Sequence, residues 1–435
     1  LLYSAFTYFL GFSVNSGEYK LMGLAPYGDL RSGQTIEYIR KIKKELITVH
    51  DDGSVWLNQS YFSYATGLRM VDDRKWQNIF GFPRRLPEAD MLQHHCNLAL
   101  AIQTVTEEIV LKMAREVRRI TGLDDLCMAG GVALNCVANG KLVEANIFKN
   151  IFIQPASGDA GGALGAALVA YHMYFDGPRK FSKFADGMNG SYLGPGFDAG
   201  EIERMSKKVK ANFKYFDSFT ELADRTASLL AGGNVIGWFQ DRMEFGPRAL
   251  GNRSILADAR NPEMQKRLNL KIKYREAFRP FAASVLDEDR SEYFELTADS
   301  PYMLIVTQVK ACRRKDLSED FSSLPMKERL YQPRSDIQAI THLDFSSRIQ
   351  TVTQQANPKY WQLIKAFKNL TGYGLMVNTS FNVRGEPPVC TPMEAYRCFM
   401  STDMDYLVIG NYFFEKTAQP DWENKEKWIT TFKMD

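Results

Sequence analysis

Between positions 92 and 120 apolar residues recur every three or four places, at Leu98, Ile102, Val105, Ile109, Met113, Val117 and Ile120, which predicts one long helix with a single apolar stripe. Ahead of it, residues 1–12 are aromatic-rich and amphipathic and run into the loop Asn15-Ser-Gly-Glu-Tyr-Lys20. A charged helix is expected over 35–45, and then a polar stretch of weak periodicity to about Pro87. After the long helix the pattern changes. Leu126-Cys-Met128 and Ile151-Phe-Ile153 read as short buried strands, separated by Gly130-Gly131 and a helix to about Ala145. Ser157-Gly-Asp159 then opens a helix of small residues, and this alternation is the rhythm of α/β layers.

The segment 178–196 is rich in Gly and Pro and reads as an exposed connection, so a domain boundary is placed there, with units at 1–190 and 205–420. The second half starts afresh with a helix near 223–230 and a strand over 235–239. A long basic stretch follows, then strands near 281–286, 303–309, 349–353, 375–377 and 406–409, with helices near 359–370 and 392–400. Residues 313–335 are charge-rich and read as a surface insertion. No internal repeat is visible. The expected fold class is α/β.

The 435 residues fit two domains and a soluble globular composition, 45% hydrophobic and 24% charged. No apolar run is long enough to span a bilayer. The six cysteines contain no Cys-x-x-Cys pair and the five histidines no His-x-x-x-His pair, so neither zinc-type spacing is present. Sparse cysteines fit reduced thiols in a cytoplasm. His94-His95, at the start of the long helix, are expected to be partly exposed. Neither a P-loop nor a Ser-His-Asp arrangement stands out.

Net charge is only +3, so nothing global steers the chain to nucleic acid or an anionic membrane. Locally the picture differs, because residues 240–279 hold ten basic and five acidic residues, a net of +5. A charge run alone is most often a solvated face. Here Phe245, Gly246, Pro247, Phe278, Pro280 and Phe281 interleave the charges, which suits a partly enclosed pocket where guanidinium forks and loop N–H groups hold phosphoryl oxygens. A nucleic-acid groove would want repeated aromatic platforms and a longer basic track.

Further candidates are weaker by themselves. Asn378-Thr-Ser-Phe-Asn382 follows a buried strand, where ligands of α/β sheets bind, but Thr379 and Ser380 alone suit a plain turn. Gly130-Gly-Val-Ala-Leu-Asn135 is a glycine turn that admits a nucleotide or simply close packing. Asp159 is either an N-cap or one ligand of a hard cation.

Taken together, the runs resemble one family, the NodU/CmcH O-carbamoyltransferases. Those carrying the likeness are Ser16-Gly-Glu-Tyr-Lys-Leu-Met-Gly-Leu-Ala-Pro-Tyr-Gly28, Gly130-Gly-Val-Ala-Leu-Asn-Cys-Val-Ala-Asn-Gly140, Pro155-Ala-Ser-Gly-Asp-Ala-Gly-Gly-Ala-Leu-Gly165, Met243-Glu-Phe-Gly-Pro-Arg-Ala-Leu-Gly251, Phe278-Arg-Pro-Phe281, Arg348-Ile-Gln-Thr-Val352 and Asn378-Thr-Ser-Phe-Asn382. They occur in family order along nearly the whole chain. The resemblance implies a partial actin-like (ASKHA) domain over 1–190, followed by a YrdC-like domain over 205–420 that makes carbamoyl-adenylate from carbamoyl phosphate and ATP. The first domain, with a divalent metal (iron in the relatives, Mg accompanying ATP), would pass the carbamoyl group to a hydroxyl of a small molecule. By motif, Arg248, Lys273, Arg279, Arg348 and Asn378 match the carbamoyl phosphate and ATP site. Gly130, Gly131 and Asn135 match the first domain's nucleotide contact, Arg253 and Arg275 are further cofactor candidates, and Asp159 matches a metal ligand.

The family's early His-Asp segment and its His-x-x-x-His pair lie upstream of anything resembling residues 1–28. Together with Leu1 in place of Met, this suggests a sequence that begins inside a gene product. The resulting expectation is carbamoyl-adenylate formation without acceptor transfer, and a first domain prone to association. A homodimer is allowed for; no nucleic acid or membrane partner is expected. The rivals are a YrdC-like RNA-binding or tRNA-modification protein and an inactive remnant.

Overall fold

The computed structural model describes residues 1–179, 186–321, 324–422 and 432. Two short pairs open the list of strands: antiparallel β1 (Ile47–Val49) and β2 (Val55–Leu57), and parallel β3 (Asp125–Met128) and β4 (Asn150–Ile153). The remainder form one nine-stranded mixed sheet: β5 (Lys214–Tyr215), β6 (Ile236–Phe239), β7 (Arg253–Ala257), β8 (Ala282–Leu286), β9 (Ile305–Gln308), β10 (Ser346–Val352), β11 (Leu375–Ser380), β12 (Tyr406–Ile409) and β13 (Tyr412–Glu415). Their order is β5-β13-β12-β6-β7-β11-β8-β10-β9, with β6–β12 and β8–β10 parallel.

The central strands are apolar on both faces, because both faces are covered. Leu256 of β7 and Met376 of β11 join a core with the helices Phe219–Ala231 and Pro358–Thr371. Their strand neighbours Ile255, Ala257 and Val377 point the other way, into the largest core, which also takes in Ala133 and Ile153 of the first half. A separate core in the first half gathers Phe6, Phe9, Trp76 and Phe80 against Leu98, Ile102 and Val105, with the Phe6 and Trp76 rings 4.7 Å apart.

The long helix runs Gln93–Thr121, as its periodicity predicts. Only the first part of its stripe is buried; Met113, Val117 and Ile120 are 50%, 40% and 67% exposed. The small-residue helix Asp159–Val169 buries no residue at all. A two-stranded layer, β3–β4, is too narrow to cover these surfaces.

Several expectations change. Strand β7 lies at the middle of the sheet inside what reads as a basic stretch, because Arg253 and Ser254 hide its apolar alternation. Of the expected exposed connection, residues 180–185 lie outside the described residues, while Met188 and Ser191 are buried and Gly194 and Met243 exchange backbone bonds with their neighbours. The expected surface insertion returns to the interior at Leu330 and Arg334. His95 is 5% exposed rather than a surface residue, its Nδ1 accepting the Leu92 N–H to cap the long helix. Strand β11 extends through Ser380, so Asn378 sits within it, opposite Leu256 and Ala282, rather than in a following turn.

Candidate active site

A cavity of about 680 Å³ lies between the two halves of the chain. One wall comes from the first half: Tyr19 and Met22, then Gln103 and Glu107 of the long helix, then Cys136 and Lys141. The other wall comes from the nine-stranded sheet and its loops, and it carries Arg248, Lys273, Arg275, Arg279, Arg348 and Asn378. In all, eight basic side chains face three acidic ones (Glu107, Asp344 and Glu386) around this space.

The loop bearing Arg248 is shaped from within. Buried Glu244 accepts the backbone N–H groups of Leu250, Asn252 and Arg253 on one carboxylate oxygen, at 2.7, 2.9 and 3.2 Å. Gly251 closes the turn at φ +106°, and a Cβ there would meet the Tyr360 ring at 2.2 Å, so only glycine fits. Below the loop, Asn378 Nδ2 donates to the Ala249 carbonyl, Ser284 Oγ and Gln350 Oε1 at 3.1, 2.9 and 3.0 Å. Gln350 in turn donates to the Leu250 carbonyl at 2.8 Å. This buried amide network ties loop 246–251 to β8, β10 and β11.

Arg248 and Arg348 meet in the cavity without a counterion. Each Nε is buried and unbonded, and among the described residues neither guanidinium has a hydrogen bond or ion pair. Burial, and then the charge of Arg348, push Arg248 down to about 10.

The other cations are differently engaged. The Lys273 ammonium is held by the Ser380 carbonyl and hydroxyl (2.7 and 3.2 Å) and the Asn382 carbonyl and Oδ1 (2.7 and 2.6 Å), which exhausts its three donors on the loop. Burial, then Arg275, lower its pKa well below the usual lysine value. Arg275 donates to Asn269 Oδ1 at 2.7 Å and is brought down to about 9 by burial and then Arg279. Arg279 stands 3.0 Å from Glu276 and 5.0 Å over the Tyr19 ring.

Other expected site residues are elsewhere. Arg253 is absent from the cavity lining: its guanidinium donates to the carbonyls of Gln240, Asn252, Pro195 and Asp241 and lies 3.5 Å over the Phe239 ring, a purely internal clamp. Gly130 and Gly131 are exposed, and Asn135 exchanges amide bonds with Gln103 while capping the helix Cys136–Glu144; none of the three lines the cavity. Asp159 is exposed and makes no capping bond. Among the described residues no group of three or more His, Cys, Asp or Glu side chains could hold a metal ion.

Residues that sequence reasoning missed include His342, which lines the cavity between Ser346 Oγ and the Phe281 carbonyl and is lowered to about 4, first by burial. Glu386, also in the lining, is raised to about 7 by burial. Glu244 and Glu276 were counted only as charges against the basic run. The one signal that could have found them was their place inside the quoted motifs or beside them.

Known proteins bear on this arrangement directly. Residues 1–168 match the model described as carbamoyltransferase N-terminus and residues 227–416 that described as carbamoyltransferase C-terminus. An uncharacterized Synechocystis sp. protein is 55% identical over 100% of this chain and 70% of its own length. Nodulation protein NolO of Bradyrhizobium diazoefficiens is 38% identical over 93% of this chain and 67% of its own. The 3'-hydroxymethylcephem-O-carbamoyltransferase of Streptomyces clavuligerus is 28% identical over 77% of this chain and 56% of its own. Full-length HypF, solved with phosphate and nucleotide bound, aligns over 46% of this chain and 22% of its own at TM-score 0.28 and 15% identity, too distant to assign a fold. Among the described residues no helix is long and apolar enough to cross a membrane. With both of its regions matched and the motif residues of its second half gathered on one cationic cavity, the chain belongs to the NodU/CmcH carbamoyltransferase family.

Proposed function

We propose that the cavity binds carbamoyl phosphate and ATP and forms carbamoyl-adenylate, whose carbamoyl group goes to a hydroxyl of a small molecule. The observation that carries this is the unpartnered pair Arg248 and Arg348. Two buried like charges with no counterion are unfavourable until an anion joins them, and a phosphoryl group is the anion a guanidinium fork fits best. A cavity with net positive lining also offsets the repulsion between two polyanionic substrates. In the net reaction the carbamoyl group leaves phosphate for AMP, one water is consumed, and phosphate and pyrophosphate are released. Carbamoyl-adenylate is then a reactive acyl donor because AMP is a good leaving group. In this reading residues 205–420 form the YrdC-like unit and 1–190 belong to an actin-like transfer unit.

Arg248 and Arg348 hold phosphoryl oxygens, with Arg275 and Arg279 beside them. Lys273 acts through the 380–382 loop that it grips. The O-carbamoyltransferase relative supports a hydroxyl acceptor. No step is assigned to a metal. The test is pyrophosphate release from ATP by the purified chain with and without carbamoyl phosphate, beside mass spectrometry of a panel of hydroxyl compounds. Release that requires carbamoyl phosphate is expected; a chain that neither binds carbamoyl phosphate nor releases pyrophosphate would refute the reading.

A further inference from the structure

The cationic wall is held from behind by a carboxylate that does not face the cavity. Glu276 lies 3.0 Å from Arg279, 3.5 Å from Arg384 and 3.7 Å from Lys20. The three cations are 7%, 7% and 0% exposed at the side chain, so all are largely withdrawn from water. Burial by itself would raise the carboxyl pKa of Glu276, but the charges of Arg279, Lys20 and Arg384 outweigh it and leave the group below its ordinary value.

Each cation belongs to a different part of the chain. Lys20 is on the helix Glu18–Leu24 of the first half, Arg279 follows the Lys273 segment, and Arg384 is on the loop after β11. Arg384 also reaches back to Glu88 in the first half, at 2.5 Å. Tyr19, next to Lys20, has its ring 5.0 Å from the Arg279 guanidinium. Of these residues Tyr19, Arg279 and Arg384 line the cavity, whereas Glu276, Lys20 and Glu88 do not.

Building on the carbamoyl phosphate reading, we propose that Glu276 is a positioning residue, fixing the Arg279 and Arg384 guanidinia in the cavity wall and, through Lys20, making that wall depend on the first half of the chain. The alternative, that Glu276 merely tempers the charge of the wall, predicts the opposite sign. Removing its charge makes the surroundings one unit more positive, so a charge-only role would tighten anion binding. A positioning role weakens it, because guanidinia displaced by about 1 Å no longer meet the phosphoryl oxygens.

The experiment is calorimetric titration of carbamoyl phosphate, and separately of inorganic phosphate, into the full chain and its Glu276→Gln variant, with thermal unfolding of each sample. Glu276→Gln is expected to bind both anions roughly tenfold more weakly, opposite in sign to what charge tempering gives. Unchanged or tighter binding would overturn the proposal, whatever happens to Tm, since a scaffold role lowers Tm without touching affinity. Should Glu276→Gln not fold, Glu276→Asp decides: its carboxylate is set back by one methylene with the charge kept, and it is expected to bind at least about threefold more weakly. Wild-type binding in Glu276→Asp would then overturn the proposal. A wild-type chain that binds neither anion would instead sink the reading of the cavity, and this inference with it.

Discussion

Replacing Arg348 with Met should move stability and binding in opposite directions. In the free protein Arg348 and Arg248 repel one another with no carboxylate between them. Arg248 is brought down to about 10, burial being the larger cause and Arg348 the second. Repulsion between two neighbouring guanidinia is on the order of 1 kcal/mol. Methionine keeps most of the aliphatic stem, so the cavity wall on β10 stays packed. The ligand-free variant should therefore unfold about 1–3 °C higher than the wild type, or at a correspondingly higher urea midpoint. With ligand the sign reverses. Losing one charge-assisted contact to a phosphoryl group costs about 2–4 kcal/mol, of which the relieved repulsion returns ~1. Affinity for carbamoyl phosphate should fall roughly 5- to 150-fold. Differential scanning fluorimetry with and without the anion, beside calorimetric titration, reads both quantities on one sample. An Arg348→Met variant that melts several degrees lower without ligand and binds carbamoyl phosphate like the wild type would show a structural arginine, and the counterion argument would fail.

Lys273→Met should reduce carbamoyl phosphate-dependent pyrophosphate release by at least about 100-fold, because it frees the loop carrying Ser380 and Asn382 as well as removing a buried charge; a wild-type rate would remove Lys273 from the site. His95 supplies a pH signature. Burial, then His94 and Arg85, lower it to about 4, and protonating its Nδ1 breaks the cap of the long helix. A folded-state value below the ordinary 6.5 means the stabilisation is complete above about pH 6.5 and is lost as pH falls toward 4. After allowance for solvent screening this is about 1–2 kcal/mol, visible as a lower urea midpoint at pH 5 than at pH 7; a His95→Gln variant with the same pH slope would point to other groups. Finally, Met173, Tyr174 and Phe175 are 73%, 82% and 70% exposed beside a helix that buries nothing. The chain should therefore bind an apolar dye and self-associate at high concentration. A strictly monomeric light-scattering profile at all concentrations, with no dye binding, would contradict this.

Much of the secondary structure was legible from periodicity, since a helix stripe or a short apolar run is a local property. The helix Gln93–Thr121 and strands such as β6, β8 and β12 lie where the pattern puts them. Motif likeness went further and picked out Arg248, Lys273, Arg279, Arg348 and Asn378, five residues spread over 131 positions that line one cavity. Strand β7 was not legible, because a polar start conceals its alternation, and neither was the return of residues 330–334 to the interior.

The arginines show why the rest had to wait for the fold. Arg248 and Arg253 stand five places apart in one basic run, and nothing local separates them. Arg253 finds four backbone carbonyls and an aromatic face, and its charge is spent inside the protein. Arg248 faces another arginine and has no hydrogen bond or ion pair among the described residues, so its charge stays available to a ligand. Lys273 is likewise committed to a loop more than 100 residues away, and Glu276 to cations from three segments. A side chain's type and its neighbours in sequence establish that a charge is present. Whether that charge is neutralised or left for a substrate depends on which oxygens lie within about 3 Å of it, and those are brought there by segments distant in the chain.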